Sequence, residues 1–139
     1  SFSFQEFSQR YADPTQSQGF TLKEARFQDL KNRQHSIEGV SDELQDIWDR
    51  MQSNVVAEAE KAYTWAVRSG IAKEQARAVL PEGNTQSRMY MNGTLRSWIH
   101  YCELRRANGT QKEHREVADA CWKIIAEKFP NVAAALEQQ

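Results

Sequence analysis

Cysteine is scarce in this sequence, and its scarcity excludes several kinds of site. Cys102 and Cys121 are the only two cysteines, and they lie far apart in the chain. Neither a disulfide scaffold nor a thiolate zinc site is therefore expected, and a reducing cytoplasm is the simplest compartment. The three histidines, His35, His100 and His114, lack the H-E-x-x-H spacing, so no metal site is predicted.

An excess of charge of either sign is also missing. Lys and Arg total 18 against 19 Asp and Glu, which gives a formal net charge of −1. That balance argues against a nucleic-acid partner. No apolar run approaches the roughly 18 residues of a membrane span, so no membrane partner is predicted. There is no G-x-G-x-x-G, Walker or G-x-S-x-G motif. With 40% hydrophobic and 27% charged residues, residues 1–139 are expected to form one globular domain.

What the sequence does contain is helical periodicity, which is clearest in its middle. The pattern predicts one helix over 42–69, about seven or eight turns long. Ser41 suits the N-cap and Gly70 suits the position after the last turn. The apolar stripe of this helix consists of Leu44, Ile47, Trp48, Met51, Val55, Ala59, Ala62, Tyr63 and Ala66.

Further helices are predicted on both sides of the Gly109 turn signal. Thr110 and Glu113 match a capping box, which starts a helix at Thr110 that Phe129 ends. The other predicted helices span 72–80, 95–108 and, capped by Asn131, 131–136. Residues 1–20 are expected to be irregular or briefly extended, 20–28 are ambiguous, and 87–92 are expected to be extended. The apolar stripe expected on the Thr110 helix consists of Val117, Cys121, Ile124 and Ile125.

Two short polar segments are candidates for chemistry. Residues 6–11 place carboxylate, hydroxyl and guanidinium groups in a predicted loop, which suits a phosphate or simply a solvated surface. In the segment 74–81, Arg77 follows Glu74 by three residues. That spacing suits an exposed ion pair, and an anion ligand is the alternative.

The helix predicted over 95–108 carries cationic groups on two faces. Arg96 and His100 are four residues apart and share a face, whereas Arg105 lies on the opposite side, near Trp98. Buried arginines need polar or anionic partners. Two interpretations stay open: internal salt bridges, or two ligand groups served by one helix at a subunit interface.

The chain resembles the flavin-dependent thymidylate synthases in several motifs that occur in family order. The family signature is Arg-His-Arg, seven residues and then Ser, which Ser8 matches, followed by Arg10 and Tyr11. Residues 76–81 are similar to the family's A-R-x-V-L-P segment. Further matches are 92–100, Leu104-Arg105, Gln111 and Glu113.

The resemblance implies an enzyme that makes dTMP from dUMP with FAD, NADPH and methylenetetrahydrofolate. The family fold is α+β, built of helices and an antiparallel sheet, and this chain would be its mostly α-helical C-terminal part. The resemblance also implies a homotetramer with active sites shared between subunits. The flavin carries the hydride chemistry, while the protein orients and polarises the substrate.

The resemblance also assigns roles by position. Arg105 is matched to the catalytic arginine that binds the uracil and favours ionisation at its N3. For Ser8, ligand binding is preferred to a nucleophile's role, because no base is placed beside it. The expected dUMP ligands are Glu6, Phe7, Ser8, Gln9, Arg10, Arg77 and Arg105. The expected FAD ligands are Ser3, Glu6, Thr94, Leu95, Arg96 and His100.

The main departure from the family pattern is the Arg-His-Arg, which would immediately precede Ser1. Because charged hydrogen bonds contribute about 1.5–3 kcal/mol each, the chain as given is expected to bind FAD weakly, and its activity is an open question. The alternative function is a non-enzymatic helical module that self-associates through its amphipathic faces. An RNA-binding domain, suggested by Arg105 and Arg106, is disfavoured by the net charge.

Overall fold

A computed structural model of the chain describes residues 1–138. Within that range helices predominate and the strands are short, which confirms the predicted α+β class. The helices are α1 (Pro14–Ser17), α2 (Asp42–Arg68), α3 (Lys73–Ala76), α4 (Leu95–Arg105), α5 (Lys112–Lys128) and α6 (Pro130–Glu137). The strands are β1 (Phe2–Glu6), β2 (Phe27–Gln28), β3 (Ser36–Ile37) and β4 (Met89–Gly93). Strand β1 pairs with β4, and β2 pairs antiparallel with β3.

The chain divides into two compact units, each assembled from separate stretches of sequence. The α2 unit comprises residues 4–26 and 38–90, and it contains α1, α2 and α3. The α4–α6 unit comprises residues 1–3, 27–37 and the chain from Met91 onward. The expectation of a single domain stays a prediction.

Helix α2 begins and ends where local chemistry predicts. The Ser41 hydroxyl accepts the Leu44 N–H at 3.2 Å, as an N-cap does. At the other end Gly70 has a φ of +83°, a left-handed conformation that favours glycine. The Ile71 N–H then reaches the Ala66 carbonyl at 3.0 Å and the Gly70 N–H reaches Val67 at 3.1 Å. These two bonds form a Schellman motif and confirm the predicted helix.

The core of the α2 unit lies at the C-terminal half of α2. Tyr63 and Ala66 are buried there against Ala76 of α3, with Leu80 packed at the edge. The predicted helix over 72–80 is confirmed, but only its first part is an α-helix. Helix α3 ends at Ala76, and a narrower 3-10 turn continues it over Arg77–Val79. Pro81 then stops the helical path.

A buried glutamine ties loop segments of the same unit to α2. The Gln52 amide accepts the Lys23 N–H at 2.7 Å and donates to the Lys23 carbonyl at 2.9 Å. The Asn84 amide donates to Gln52 at 2.9 Å and to the Thr21 carbonyl at 3.0 Å. Because the Asn84 amide nitrogen donates two hydrogen bonds and both polar atoms of the Gln52 amide are bonded, the network fixes the turn around Asn84.

The core of the α4–α6 unit lies between α4, α5 and α6. Cys102, Trp122, Ile125 and Ala133 are its buried members. The predicted stripe of α5 is wrong at Val117 and Ile124, which are 55% and 59% exposed. The buried face is rotated by one residue and consists of Ala118, Trp122 and Ile125. The large indole of Trp122 is buried, and the small side chains of Ala118 and Cys102 are fully buried with it.

Helix ends in the α4–α6 unit differ from the predicted ones. Helix α4 ends at Arg105, before a turn that includes Gly109 at a φ of +92°. Thr110 belongs to that turn, where its N–H reaches the Ala107 carbonyl, so the capping box does not form and Gln111 is the N-cap of α5. Phe129, not Asn131, precedes α6, because Pro130 occupies the first helical position, where a missing N–H has no cost.

Of the two alternatives predicted for the N-terminal arm, the extended one is found over Phe2–Glu6, which forms a short and mostly exposed strand. Its partner Met89–Gly93 confirms the extended prediction over 87–92. In the ambiguous segment only Phe27–Gln28 is a strand, while Phe20 forms an isolated bridge with Thr85. No helix within residues 1–138 combines the length and the apolar character that crossing a membrane requires.

Candidate functional site

An open cavity of about 630 Å³ in the α2 unit gathers most of the residues predicted to bind dUMP. Glu6, Phe7, Ser8 and Gln9 line one side of it, and Arg77 lines another. Four consecutive predicted ligands and a fifth, which follows about seventy residues later in the sequence, therefore lie at one site. The remaining lining residues are Ala78, Leu80, Glu82, Thr85 and Ser87.

Two hydrogen bonds join the segment that contains Glu6 and Phe7 to the segment that contains Ser87 and Arg88. The Phe7 N–H donates to the Arg88 carbonyl at 2.8 Å, and the Ser87 hydroxyl donates to a Glu6 carboxylate oxygen at 2.9 Å. Directly after this point the chain turns, with the Tyr11 N–H bonded to the Ser8 carbonyl at 3.3 Å. The turn keeps residues 8 and 9 on the cavity wall.

Arg77 enters the cavity from the 3-10 turn that follows α3. Its Nε donates to the main-chain carbonyl of Glu74 at 3.2 Å, which fixes the base of the guanidinium. Within the described residues its two terminal nitrogens have no ion-pair partner. A guanidinium fixed at one nitrogen and open at the other two is suited to a two-pronged contact with an anion.

Arg10 does not line the cavity, although it is the next cation along the chain. It forms an ion pair with the Glu74 carboxylate at 3.2 Å and lies over the Tyr11 ring, 5.7 Å from its centroid. The predicted side-chain pair of Glu74 with Arg77 is therefore wrong. Glu74 gives Arg77 its main-chain carbonyl and gives its carboxylate to Arg10, which only the tertiary structure brings near.

Ser8 is exposed on the cavity wall, and no general base is hydrogen-bonded to its hydroxyl within residues 1–138. The carboxylates of Glu6 and Glu82 line the same cavity, but in the described part of the chain the Ser8 hydroxyl forms no hydrogen bond to a carboxylate or a histidine. A serine without an activating base is a poor nucleophile. The geometry therefore fits Ser8 as a hydrogen-bonding ligand.

The residues predicted to bind FAD lie mainly at the start of α4, in the α4–α6 unit. Thr94 is the N-cap of α4, and its hydroxyl accepts the Ser97 N–H at 3.2 Å. Ser3 lies exposed on β1. Leu95 packs against the core of the unit and borders an apolar cavity of about 400 Å³, so its side chain serves the interior.

Arg96, His100 and Arg105 all have exposed side chains on α4. In the part of the chain that the structure describes, none of the three forms a salt bridge, so the internal salt bridges kept open from the sequence are not found. Arg105 lies in the last turn of α4, where the helix dipole stabilises a positive charge. Burial raises the pKa of Tyr101, and the positive charge of Arg105 opposes that rise.

Sequence reasoning missed the second wall of the cavity. Glu82, Thr85 and Ser87 lie in a turn that carries no recognisable motif, and only the pairing of residues 7 and 88 brings this turn to the first wall. Helical spacing pairs Glu74 with Arg77, and it cannot predict that the Glu74 carboxylate contacts Arg10. Across residues 1–138 no cluster of histidine, cysteine or carboxylate groups could hold a metal ion.

Comparisons with known proteins identify relatives of this chain. The family model "Thymidylate synthase complementing protein" matches residues 1–131. The chain is 47% identical over 137 residues to a protein of Paramecium bursaria Chlorella virus 1 named "Probable flavin-dependent thymidylate synthase". It is 48% identical over 137 residues to the flavin-dependent thymidylate synthase of Synechocystis sp.. These alignments cover 99% of the chain and 62% of each relative's length.

A solved structure has a similar fold. The UMP/dUMP methylase PolB from Streptomyces cacaoi, bound with 5-Br dUMP, superposes with a TM-score of 0.78. The match covers 99% of this chain and 62% of that one, at 24% identity. At that identity the likeness supports the fold alone.

Proposed function

Because the chain belongs to the family of thymidylate synthase complementing proteins, we propose that it forms part of a flavin-dependent enzyme that methylates dUMP to dTMP. The observation that carries this proposal is the α2-unit cavity, which gathers Glu6, Phe7, Ser8, Gln9 and Arg77. The chain spans 62% of the length of the Chlorella virus and Synechocystis relatives, so activity is proposed for the whole protein to which these residues belong.

We propose that the cavity holds the nucleotide. The guanidinium of Arg77 would pair with the phosphate, because its terminal nitrogens are open while its Nε is fixed. Ser8 and Gln9 would add hydrogen bonds. Glu6 is matched to both dUMP and FAD, and its carboxylate already accepts the Ser87 hydroxyl, which orients it.

Arg105 is the residue we propose for catalysis. Its guanidinium stays charged at any working pH, so it can stabilise a negative charge that develops on the uracil without itself titrating. Its exposure, together with the lack of an ion-pair partner within residues 1–138, supports a ligand contact over a structural role.

The α4 face fits a phosphate-bearing cofactor such as FAD, since Arg96 and His100 are exposed donors four residues apart. Thr94 and the adjoining Leu95 main chain would add contacts at the helix start, and Ser3 is a further proposed ligand. FAD, when bound, supplies the hydride chemistry, with NADPH and methylenetetrahydrofolate as co-substrates. The chain's own residues would bind and orient these groups.

We propose a homotetramer with shared sites, in the cytoplasm. The exposed apolar residues on the first half of α2 support self-association, because contiguous exposed apolar surface marks interaction sites. Both cysteines are free thiols in the structure, and a reducing compartment would keep them so. The same apolar surface is the observation that favours the alternative, a helical module that only self-associates.

Calorimetric titration with dUMP, with and without FAD, separates the two functions. We expect saturable dUMP binding that weakens at least about tenfold in Arg77→Gln and in Arg105→Gln, since each loses a charged contact. Arg50→Gln is the matched control, an exposed arginine of α2 outside the cavity. Unchanged binding in both test variants would overturn the proposed roles, and a folded chain that binds neither ligand would favour the self-association module.

FAD binding is tested separately by flavin fluorescence. Arg96→Gln with His100→Gln is expected to weaken FAD binding further than Lys123→Gln, which alters an exposed cation of α5. Equal binding by all three proteins would remove the α4 face from the proposed flavin site.

A further inference from the structure

The charges that line the α2-unit cavity do not suit a phosphate dianion by themselves. Two carboxylates, Glu6 and Glu82, border it, against one guanidinium, that of Arg77. A doubly negative group therefore needs a further cation. The nearest one in sequence to the lining segment is Arg10, and the Glu74 carboxylate already holds it.

Glu74 contacts both arginines, and the two contacts differ in kind. Its side chain pairs with Arg10 at 3.2 Å, whereas its main-chain carbonyl accepts the Arg77 Nε–H at 3.2 Å. A substitution at position 74 therefore breaks the first contact and leaves the second in place. The two roles can be separated by experiment.

The pair of Arg10 and Glu74 is suited to exchange. About half of each side chain is exposed, at 53% and 48%. Exposed pairs of this kind are weak, because water and salt compete with them. A phosphate dianion carries more charge than the carboxylate, so it can take the guanidinium from Glu74.

We propose that the Glu74 carboxylate is the resident counter-ion of Arg10 and competes with a bound phosphate for its guanidinium, whereas the Glu74 main chain positions Arg77. Glu74 holds Arg10 beside the cavity until a phosphate monoester displaces the carboxylate, while its main chain keeps Arg77 in place. The identity of that ester as dUMP rests on the proposed function. The exchange itself requires only an anion that carries two charges.

The first experiment compares the chain with its Glu74→Gln variant by calorimetry at low salt. Glutamine keeps the length and removes the competing charge, so dUMP and inorganic phosphate should each bind about two- to fivefold more tightly. Asp119→Asn is the matched control, since Asp119 also pairs with an exposed arginine, Arg106, at 2.8 Å. It should leave both affinities unchanged.

A double-mutant cycle tests whether Glu74 acts through Arg10. In an Arg10→Gln background the gain from Glu74→Gln should shrink to less than about 1.5-fold, because no guanidinium remains to be released. A gain of the same size in both backgrounds would mean that Glu74 acts only through its general negative field. That result would overturn the inference.

Arginine side-chain NMR supplies a signature that a merely structural role would not give. Phosphate added to the unaltered chain should shift the Arg10 guanidinium resonances as the phosphate replaces the Glu74 carboxylate, and the same shift should need less phosphate in Glu74→Gln. The Arg77 Nε–H should stay protected from exchange in that variant, since its acceptor is main chain. An Arg10 resonance that ignores both changes would contradict the proposal.

The outcomes separate this inference from the proposed function. If phosphate binds in a way that depends on Glu74 but dUMP does not bind, the inference about Glu74 stands and the assignment of dUMP as the ligand is overturned. If dUMP binds the unaltered chain and the Glu74→Gln variant equally well, the inference about Glu74 is overturned and the assignment of dUMP as the ligand stands. If neither ligand binds the unaltered chain, both fall.

Discussion

The two halves of helix α2 follow the same apolar pattern but differ in what covers them. In the C-terminal half Ala59, Tyr63 and Ala66 are buried, and Tyr63 is 0% exposed. In the N-terminal half the stripe stands open to solvent, with exposed fractions from 41% to 58%. The open residues are Leu44, Ile47, Trp48, Met51 and Val55. Helical periodicity thus identifies the apolar face of α2, but it does not tell whether residues of the same chain cover that face.

Truncating the buried half should have the largest effect. Tyr63→Ala removes a fully buried aromatic ring and leaves a cavity beside Ala66 and Ala76, so we expect the free energy of unfolding to fall by about 3–5 kcal/mol. Met51→Ala, in the open half, should change it by less than about 1 kcal/mol. Urea unfolding measures both. Equal losses would show that the two halves are covered alike.

Charging the open half should break association and leave the fold intact. Trp48→Glu places a carboxylate in the middle of the exposed stripe, where a partner would have to desolvate it, so we expect self-association to weaken by about a hundredfold. Sedimentation equilibrium measures the change, and circular dichroism checks the helix. Lys61→Glu, on another exposed part of α2, is the control. Association that survives Trp48→Glu would place the interface elsewhere.

The stop at Gly70 closes the buried half, and altering it should have an intermediate effect. Its φ of +83° is strained for alanine, so Gly70→Ala should cost about 1 kcal/mol of unfolding free energy. Gly83→Ala is the matched control, because Gly83 has no positive φ and a methyl group there would meet nothing within 4 Å. A similar loss from both substitutions would refute the role given to the Schellman motif.

The Tyr63 hydroxyl gives the smallest and most specific test. It is buried without a hydrogen-bond partner among residues 1–138, so Tyr63→Phe should be neutral or stabilise the fold by up to about 1 kcal/mol at pH 7. Burial, helped by the negative charge of Asp13, raises the pKa of Tyr63 above the ordinary value of a tyrosine.

That raised pKa predicts a loss of stability at alkaline pH. The contribution of the neutral phenol is fully present below about pH 10 and is lost as pH rises through the higher pKa of the folded state. Tyr63→Phe should flatten this part of the stability curve, while Tyr11→Phe, at a 78% exposed site, should not. A curve that is identical for all three proteins would contradict the assigned burial.

Local signals predicted much of the helical framework. Ser41 and Gly70 are close to the ends of α2 because capping and left-handed backbone depend on one or two residues. The same reasoning failed at Thr110, because this residue belongs to the turn around Gly109 and Gln111 is the N-cap of α5 instead. It also failed on α5, because spacing alone did not identify Trp122 as the residue that faces α4.

The sequence by itself determined the family motifs and most of the helices, since both depend on residues that are neighbours along the chain. The tertiary structure showed how Glu6 to Gln9 meet Arg77 in one cavity, and it alone decided that the Glu74 carboxylate holds Arg10 while its main chain holds Arg77. It also decided which half of α2 is covered. Contacts between distant segments depend on how strands and helices pack in space, and the order of residues does not encode that packing in any local pattern.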